Sequence, residues 1–253
     1  MFKLIKYELR STFLTIIGIC ITVIIANLFL MTKKAAWGGN VLVGLSMCLI
    51  IGSIIVIFIS SLKIMSKYLH GEEGYLLFTL PQSGMSILTS RLITALIQIS
   101  IVFFVSILMF NLIIPEEIDL SFLKDIKARE LLFSIIIYIW SVISSLTFIY
   151  FCMVIGKVAL KGKKLGKIGS FVIFIIISLA MSWLAFKITT VFPQTLDFGG
   201  SSIANNFKTA NSSFSIYGGV LNVNIAQTIL DIITFVGFFT ATSYLIDKKL
   251  DLS

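Results

Sequence analysis

The residues able to do chemistry are few and scattered. His70 is the single histidine, and Cys20, Cys48 and Cys152 all fall inside apolar runs. That set forms no His/Cys cluster of the kind that binds a metal and no recognisable catalytic triad. Isolated thiols in apolar runs serve as small packing residues, and three of them make no disulfide framework. The glycine- and lysine-rich stretch Gly156 to Lys167, GKVALKGKKLGK, superficially resembles a phosphate loop. A phosphate loop needs four residues between its glycines, then Lys, then Ser or Thr. Here five residues separate Gly156 from Gly162, and Lys164 stands where the hydroxyl belongs. The stretch reads instead as a positively charged connection. No HExxH, paired intramembrane Asp or Ser/Lys arrangement is present, which argues against an intramembrane enzyme.

Asp231 is the one acid inside an apolar span. Charges there are expensive and often functional. Two readings stay open. Asp231 sits near a span end, reached by water or held by the helix N-terminus, or it forms a substrate or gating contact. Gln98 and Asn111, both in the third apolar run, are candidates for polar lining of the same path.

The elements that must position these residues follow from composition. The chain has 253 residues, 58% hydrophobic and 13% charged, with mean hydropathy +1.05. A soluble domain carries roughly 25% charged residues, so lipid is the expected solvent. The net charge of +8 sits in short connections between apolar spans, a placement that fits membrane orientation and argues against nucleic acid as a partner.

Six spans are predicted, over about residues 13–31, 41–62, 92–114, 131–155, 168–186 and 226–246, in one transmembrane domain covering 1–253. Each is long enough to cross roughly 30 Å of hydrocarbon at about 1.5 Å per residue. The first exceeds the about 7–15 apolar residues of a cleaved signal peptide. The fold class is therefore all-α and polytopic. Ahead of the first span, MFKLIKYELR places Phe2, Ile5 and Leu9 on one face and Lys3, Lys6 and Arg10 beside them. That pattern predicts a short amphipathic helix at the membrane surface, or a charged flank that orients the first span, and both can hold. In span two, Gly44, Cys48 and Gly52 recur every fourth residue, with Ser60 continuing the row. Small residues so spaced permit close helix approach, within one subunit or between two. Residues 187–226 form the longest non-spanning stretch, expected as an irregular external cap with a short re-entrant piece around 214–223.

Six spans put both termini on one side. Thirteen of the twenty Lys and Arg residues fall on that side and seven on the other. The positive-inside rule then places both termini, and the connection after span two, in the cytoplasm.

That connection, from Tyr68 to Arg91, organises the chain. Tyr75, Leu76, Leu77, Phe78 and Leu80 form an apolar patch too short to span, preceded by Glu72 and Glu73. Pro81 disfavours helix at Leu80 and turns the chain. Ser83 is placed to cap the following helix. A short interfacial helix results, whose apolar face suits either lipid or a partner groove.

Glu73-Gly74, then Leu80-Pro81 with Ser83, then Leu88 and Arg91 leading into a span, resembles the cytoplasmic loop of ABC-2-type transporter permeases. The N-terminal amphipathic helix, the six spans and the length also resemble that family, so the likeness covers the whole chain. Tyr75 departs from it, since the family often has a small hydroxyl residue there. The resemblance implies two permease subunits, identical or related. Each would dock a separate ATP-binding subunit through a coupling helix between spans two and three. Glu72, Glu73, Gly74, Tyr75, Leu80 and Pro81 would face that ATPase, with Lys161, Lys163 and Lys164 as a second contact. Phe2, Ile5 and Leu9 would form the connecting helix on the inner leaflet. No cofactor would bind the permease itself; ATP and Mg would sit on the partner. The implied function is export across a bacterial cell membrane of an antimicrobial peptide, drug or lipid-like compound. The alternative is a non-transporting membrane anchor or sensor that scaffolds a cytoplasmic partner.

Overall fold

Long runs of Ile, Leu, Val and Phe without Pro leave the backbone one way to satisfy its polar groups in lipid, the α-helix. The computed structural model describes residues 2–33, 39–70, 83–113, 128–159, 166–192, 194–197, 203–204, 214–217 and 220–248. Its helices are α1 (Phe2–Thr32), α2 (Gly39–His70), α3 (Gly84–Ile113), α4 (Ala128–Ala159), α5 (Gly166–Val191) and α6 (Ile225–Lys248). All six are long and apolar enough to cross a membrane, which makes the chain a multi-pass membrane protein by length and composition. Exposed Phe171, Leu179, Trp183 and Phe186 on α5 would be untenable in water and are at home against acyl chains. Most helices overrun the predicted spans because helical hydrogen bonding continues past the point where the hydropathy falls.

The clearest difference lies at the start. The surface helix expected over Phe2, Ile5 and Leu9 is continuous with span one, as a single 31-residue helix. No glycine or proline separates Arg10 from Phe13, and the Thr12 hydroxyl donates to the Glu8 carbonyl at 2.9 Å. Nothing in the sequence breaks the rod.

The chain divides into two compact units, 1–146 and 147–253, and α4 contributes to both. In the first unit α3 is the central helix. Its apolar window is 39% buried, against 22% for those of α1 and α2, and it packs on both. Ile57, Met65, Tyr68, Leu88 and Val102 are fully enclosed. Leu30, Leu42 and Ile113 close one end of this packing. The first part of α4 joins through Tyr138, which stacks on Phe103 at 5.1 Å and lies 3.3 Å from the Ser100 hydroxyl.

Polar side chains in these interfaces bond one another or a carbonyl one turn back, as they must in hydrocarbon. Ser46 donates to Asn27 at 3.0 Å, and Asn27 donates to the Val23 carbonyl at 2.8 Å. The hydroxyls of Ser53 and Ser106 lie 3.2 Å apart. The small-residue row of α2 takes no part in this. Gly44, Cys48 and Gly52 are exposed, and a Cβ added at Gly44 or Gly52 would meet nothing within 4 Å.

In the second unit, Phe148 and Phe151 of α4 pack against Phe238 of α6 at 5.4 and 4.6 Å, and Phe148 also meets Phe174 of α5. Gly156 of α4 allows α5 to approach so closely that an added Cβ would lie 2.7 Å from the Ser170 Cα. Close helix packing therefore explains that glycine, with no phosphate required. The connection from α5 to α6 corrects the expected irregular cap. It holds an antiparallel sheet of β1 (Thr195–Asp197), β2 (Ile203–Ala204), β3 (Phe214–Tyr217) and β4 (Val220–Asn224), in the order β2-β1-β4-β3. The piece expected to re-enter the membrane at 214–223 is the β3–β4 pair, with Phe214 opposite Val223 and Tyr217 opposite Val220. Ile216 and Tyr217 are residue types that suit a strand better than a membrane helix.

Candidate functional site

α3 begins at Gly84, immediately after Ser83, whose carbonyl accepts from the amides of Ser86 and Ile87. Arg91 stands two turns in, just past the 71–82 connection. A charged residue in such an apolar helix must find an opposite charge or carbonyls, since burying it alone costs several kcal/mol. Arg91 finds both. Its Nε lies 2.9 Å from Oε1 of Glu8 on α1, and the two side chains are only 8% and 10% exposed. Its Nη1 donates to the Ile64 carbonyl of α2 at 3.4 Å. Its guanidinium lies 5.1 Å from the ring centre of Tyr68, also on α2, a cation–π geometry. One side chain thus binds three helices together at a single level.

A second level lies about two turns further along α3. Gln98 is fully buried and donates through Nε2 to the Thr12 hydroxyl of α1 at 2.7 Å. Thr12 in turn donates to the carbonyl of Glu8, so the two levels are joined along α1. The arrangement holds helices in register. It offers no nucleophile beside a base, and among the described residues no three His, Cys, Asp or Glu side chains converge as a metal would require.

The residues singled out from sequence are distributed as follows. Glu72, Glu73, Gly74, Tyr75, Leu80 and Pro81 lie outside the described residues, as do Lys161, Lys163 and Lys164. Ile5 and Leu9 are half-buried on α1, and Phe2 is its first residue. Gln98 is locked to Thr12, while Asn111, thirteen residues on along α3, is exposed near the helix end. At about 1.5 Å per residue the two are roughly 20 Å apart and share no site. Asp231 lies two turns into α6 and accepts from Gln227 Nε2 at 3.2 Å. The start of α6 is capped by Asn224, whose Oδ1 accepts the Gln227 amide at 3.0 Å.

Glu8 and Thr12 escaped the sequence reading, and Tyr68 entered it only as the start of the connection to Arg91. Glu8 did carry a signal, as the lone acid in a basic segment leading into an apolar run. An acid and a base each stranded in apolar helices are expected to pair. Comparison of the chain with family models, with curated proteins and with solved structures found no match in any of the three.

Proposed function

We propose that this chain is the membrane-spanning subunit of an ATP-driven transporter of the ABC-2 type, acting in export from a bacterial cell. The carrying observation is the Arg91 clamp. Tyr68 and Arg91 stand at the two ends of the 71–82 connection, on α2 and α3, and Arg91 is ion-paired to Glu8 of α1. A load applied to that connection would reach three spans at once through one buried contact, as a subunit driven from outside its own chain requires. The loop residues Glu73-Gly74 and Leu80-Pro81, the six apolar helices and the chain length support the same reading.

On this reading the termini and the 71–82 connection are cytoplasmic. A separate ATP-binding subunit, carrying ATP and Mg, docks on Glu72, Glu73, Gly74, Tyr75, Leu80 and Pro81. A second permease chain, identical or related, completes the assembly. The substrate is a peptide, drug or lipid-like compound.

The test is a tagged pull-down from detergent-solubilised membranes, followed by substrate efflux from cells. An ATP-binding subunit should co-purify. Glu73→Lys and Pro81→Ala should abolish both its capture and transport while leaving the melting profile of the membrane protein unchanged. Wild-type protein that brings down no ATPase under conditions preserving its fold would remove this reading in favour of a scaffold, and loop variants with full transport would overturn the loop as the docking contact.

A further inference from the structure

Beside the Arg91 clamp, α1 and α2 leave a cleft of about 470 Å³. Among the described residues its walls carry Lys63, Lys67 and Arg91, and the carboxylate of Glu8, which Arg91 engages. Lys63 and Lys67 are exposed and one turn apart in the last two turns of α2. Ser11, Thr15 and Ser60 also line it. The chemistry is that of a phosphate receptor at the rim of a membrane span, with cations for charge and hydroxyls for the remaining oxygens.

A second groove, of about 430 Å³ and almost wholly apolar, continues from the first along the same two helices. Thr15 lines both. From Thr15 the groove runs past Gly18 and Thr22 to Ala26 on α1, facing Gly52 and Val56 on α2. At about 1.5 Å per residue that is roughly 16 Å, close to one leaflet of a hydrocarbon core about 30 Å thick. The missing side chains make the channel: a Cβ added at Gly18 or Gly52 would meet no atom within 4 Å.

A cationic head lined by Ser and Thr, opening into an apolar channel one leaflet deep, has the shape and polarity of a single phospholipid. We propose that the α1/α2 groove is a binding site for an anionic phospholipid. The headgroup phosphate sits between Lys63 and Lys67, and one acyl chain lies along Gly18 and Gly52. The site stands whether or not an ATPase drives the protein, since it rests on the spans and the charges alone.

The probes are phosphatidylglycerol and phosphatidylcholine, offered to the delipidated full chain and read by native mass spectrometry. The wild-type protein should retain one phosphatidylglycerol in preference to phosphatidylcholine. The Lys63→Gln/Lys67→Gln double variant should bind phosphatidylglycerol about tenfold to thirtyfold more weakly and lose the preference. Gly52→Leu, which fills the channel without touching the cations, should weaken both lipids. Equal retention of the two lipids, unaffected by the lysine changes, would overturn the proposal and leave ordinary lipid solvation. Displacement of the lipid by millimolar inorganic phosphate, with Gly52→Leu silent, would overturn it in favour of a soluble anion. A Gly52→Leu protein with unchanged lipid retention but an altered oligomeric mass would give the groove to a second copy of the chain.

Discussion

Asn27 and Ser46 face each other across the α1–α2 interface at 3.0 Å, both fully buried. The same device recurs at Ser53 with Ser106 and at Thr12 with Gln98. Where lipid is as apolar as leucine, such bonds fix which helix faces align. Their energies are modest. Gln98→Leu is expected to cost about 0.6 kcal/mol and at most roughly 1.7 kcal/mol, because Thr12 keeps its bond to the Glu8 carbonyl. Unfolding in mixed micelles would measure it, and a loss several times larger would mean that Gln98 holds more than this one contact.

The Glu8–Arg91 pair should behave differently. Arg91→Met leaves the Glu8 carboxylate buried without its cation, at a cost of about 3–5 kcal/mol. Glu8→Gln combined with Arg91→Met removes both charges and should recover much of that loss. A double-mutant cycle on unfolding free energy checks this. Strict additivity of the two single changes would show that the charges do not interact.

Two glycine substitutions should separate close packing from open space. Gly156→Ala drives a methyl group into the Ser170 backbone and should destabilise by about 1–3 kcal/mol. Gly44→Ala meets nothing and should be neutral or gain up to about 1 kcal/mol from helix propensity. Melting temperatures of the two variants, compared side by side, decide the point.

Asn224 closes β4 and opens α6. Its Oδ1 accepts from the Gln227 amide, and its Nδ2 donates to the Phe192 carbonyl at 3.1 Å. Asn224→Ala loses both and should cost about 1–2 kcal/mol. Asn224→Asp keeps the acceptor, loses the donor, and should fall between. Hydrogen exchange at the first turn of α6 would report the cap directly, and unchanged protection in the alanine variant would count against it.

The six helices were legible because each is a long run whose hydropathy says everything the backbone needs. Helix ends were less so, since Lys63, Lys67 and Tyr68 continue α2 past the predicted end at residue 62. The sheet was missed because its strands are two to five residues long, too short for alternation to stand out. Only Gly218-Gly219 marked the hairpin. The Arg91 clamp was half legible. Arg91 was conspicuous as a base leading into a span, but its partner Glu8 lies on another helix, and no local pattern names a contact so distant in sequence. The row Gly44, Cys48 and Gly52 was visible, yet what it faces depends on how α1 and α2 diverge.

The unbroken α1 has a mechanical corollary. At about 1.5 Å per residue its 31 residues make a stiff oar roughly 46 Å long. Pivoted by about 5° near one tip, such a rod sweeps the opposite tip through about 4 Å. Glu8 is gripped close to one tip and Leu30 is wedged with Leu42 and Ile113 at the other. A tug too slight to unseat the grip would therefore arrive, magnified, at the wedge.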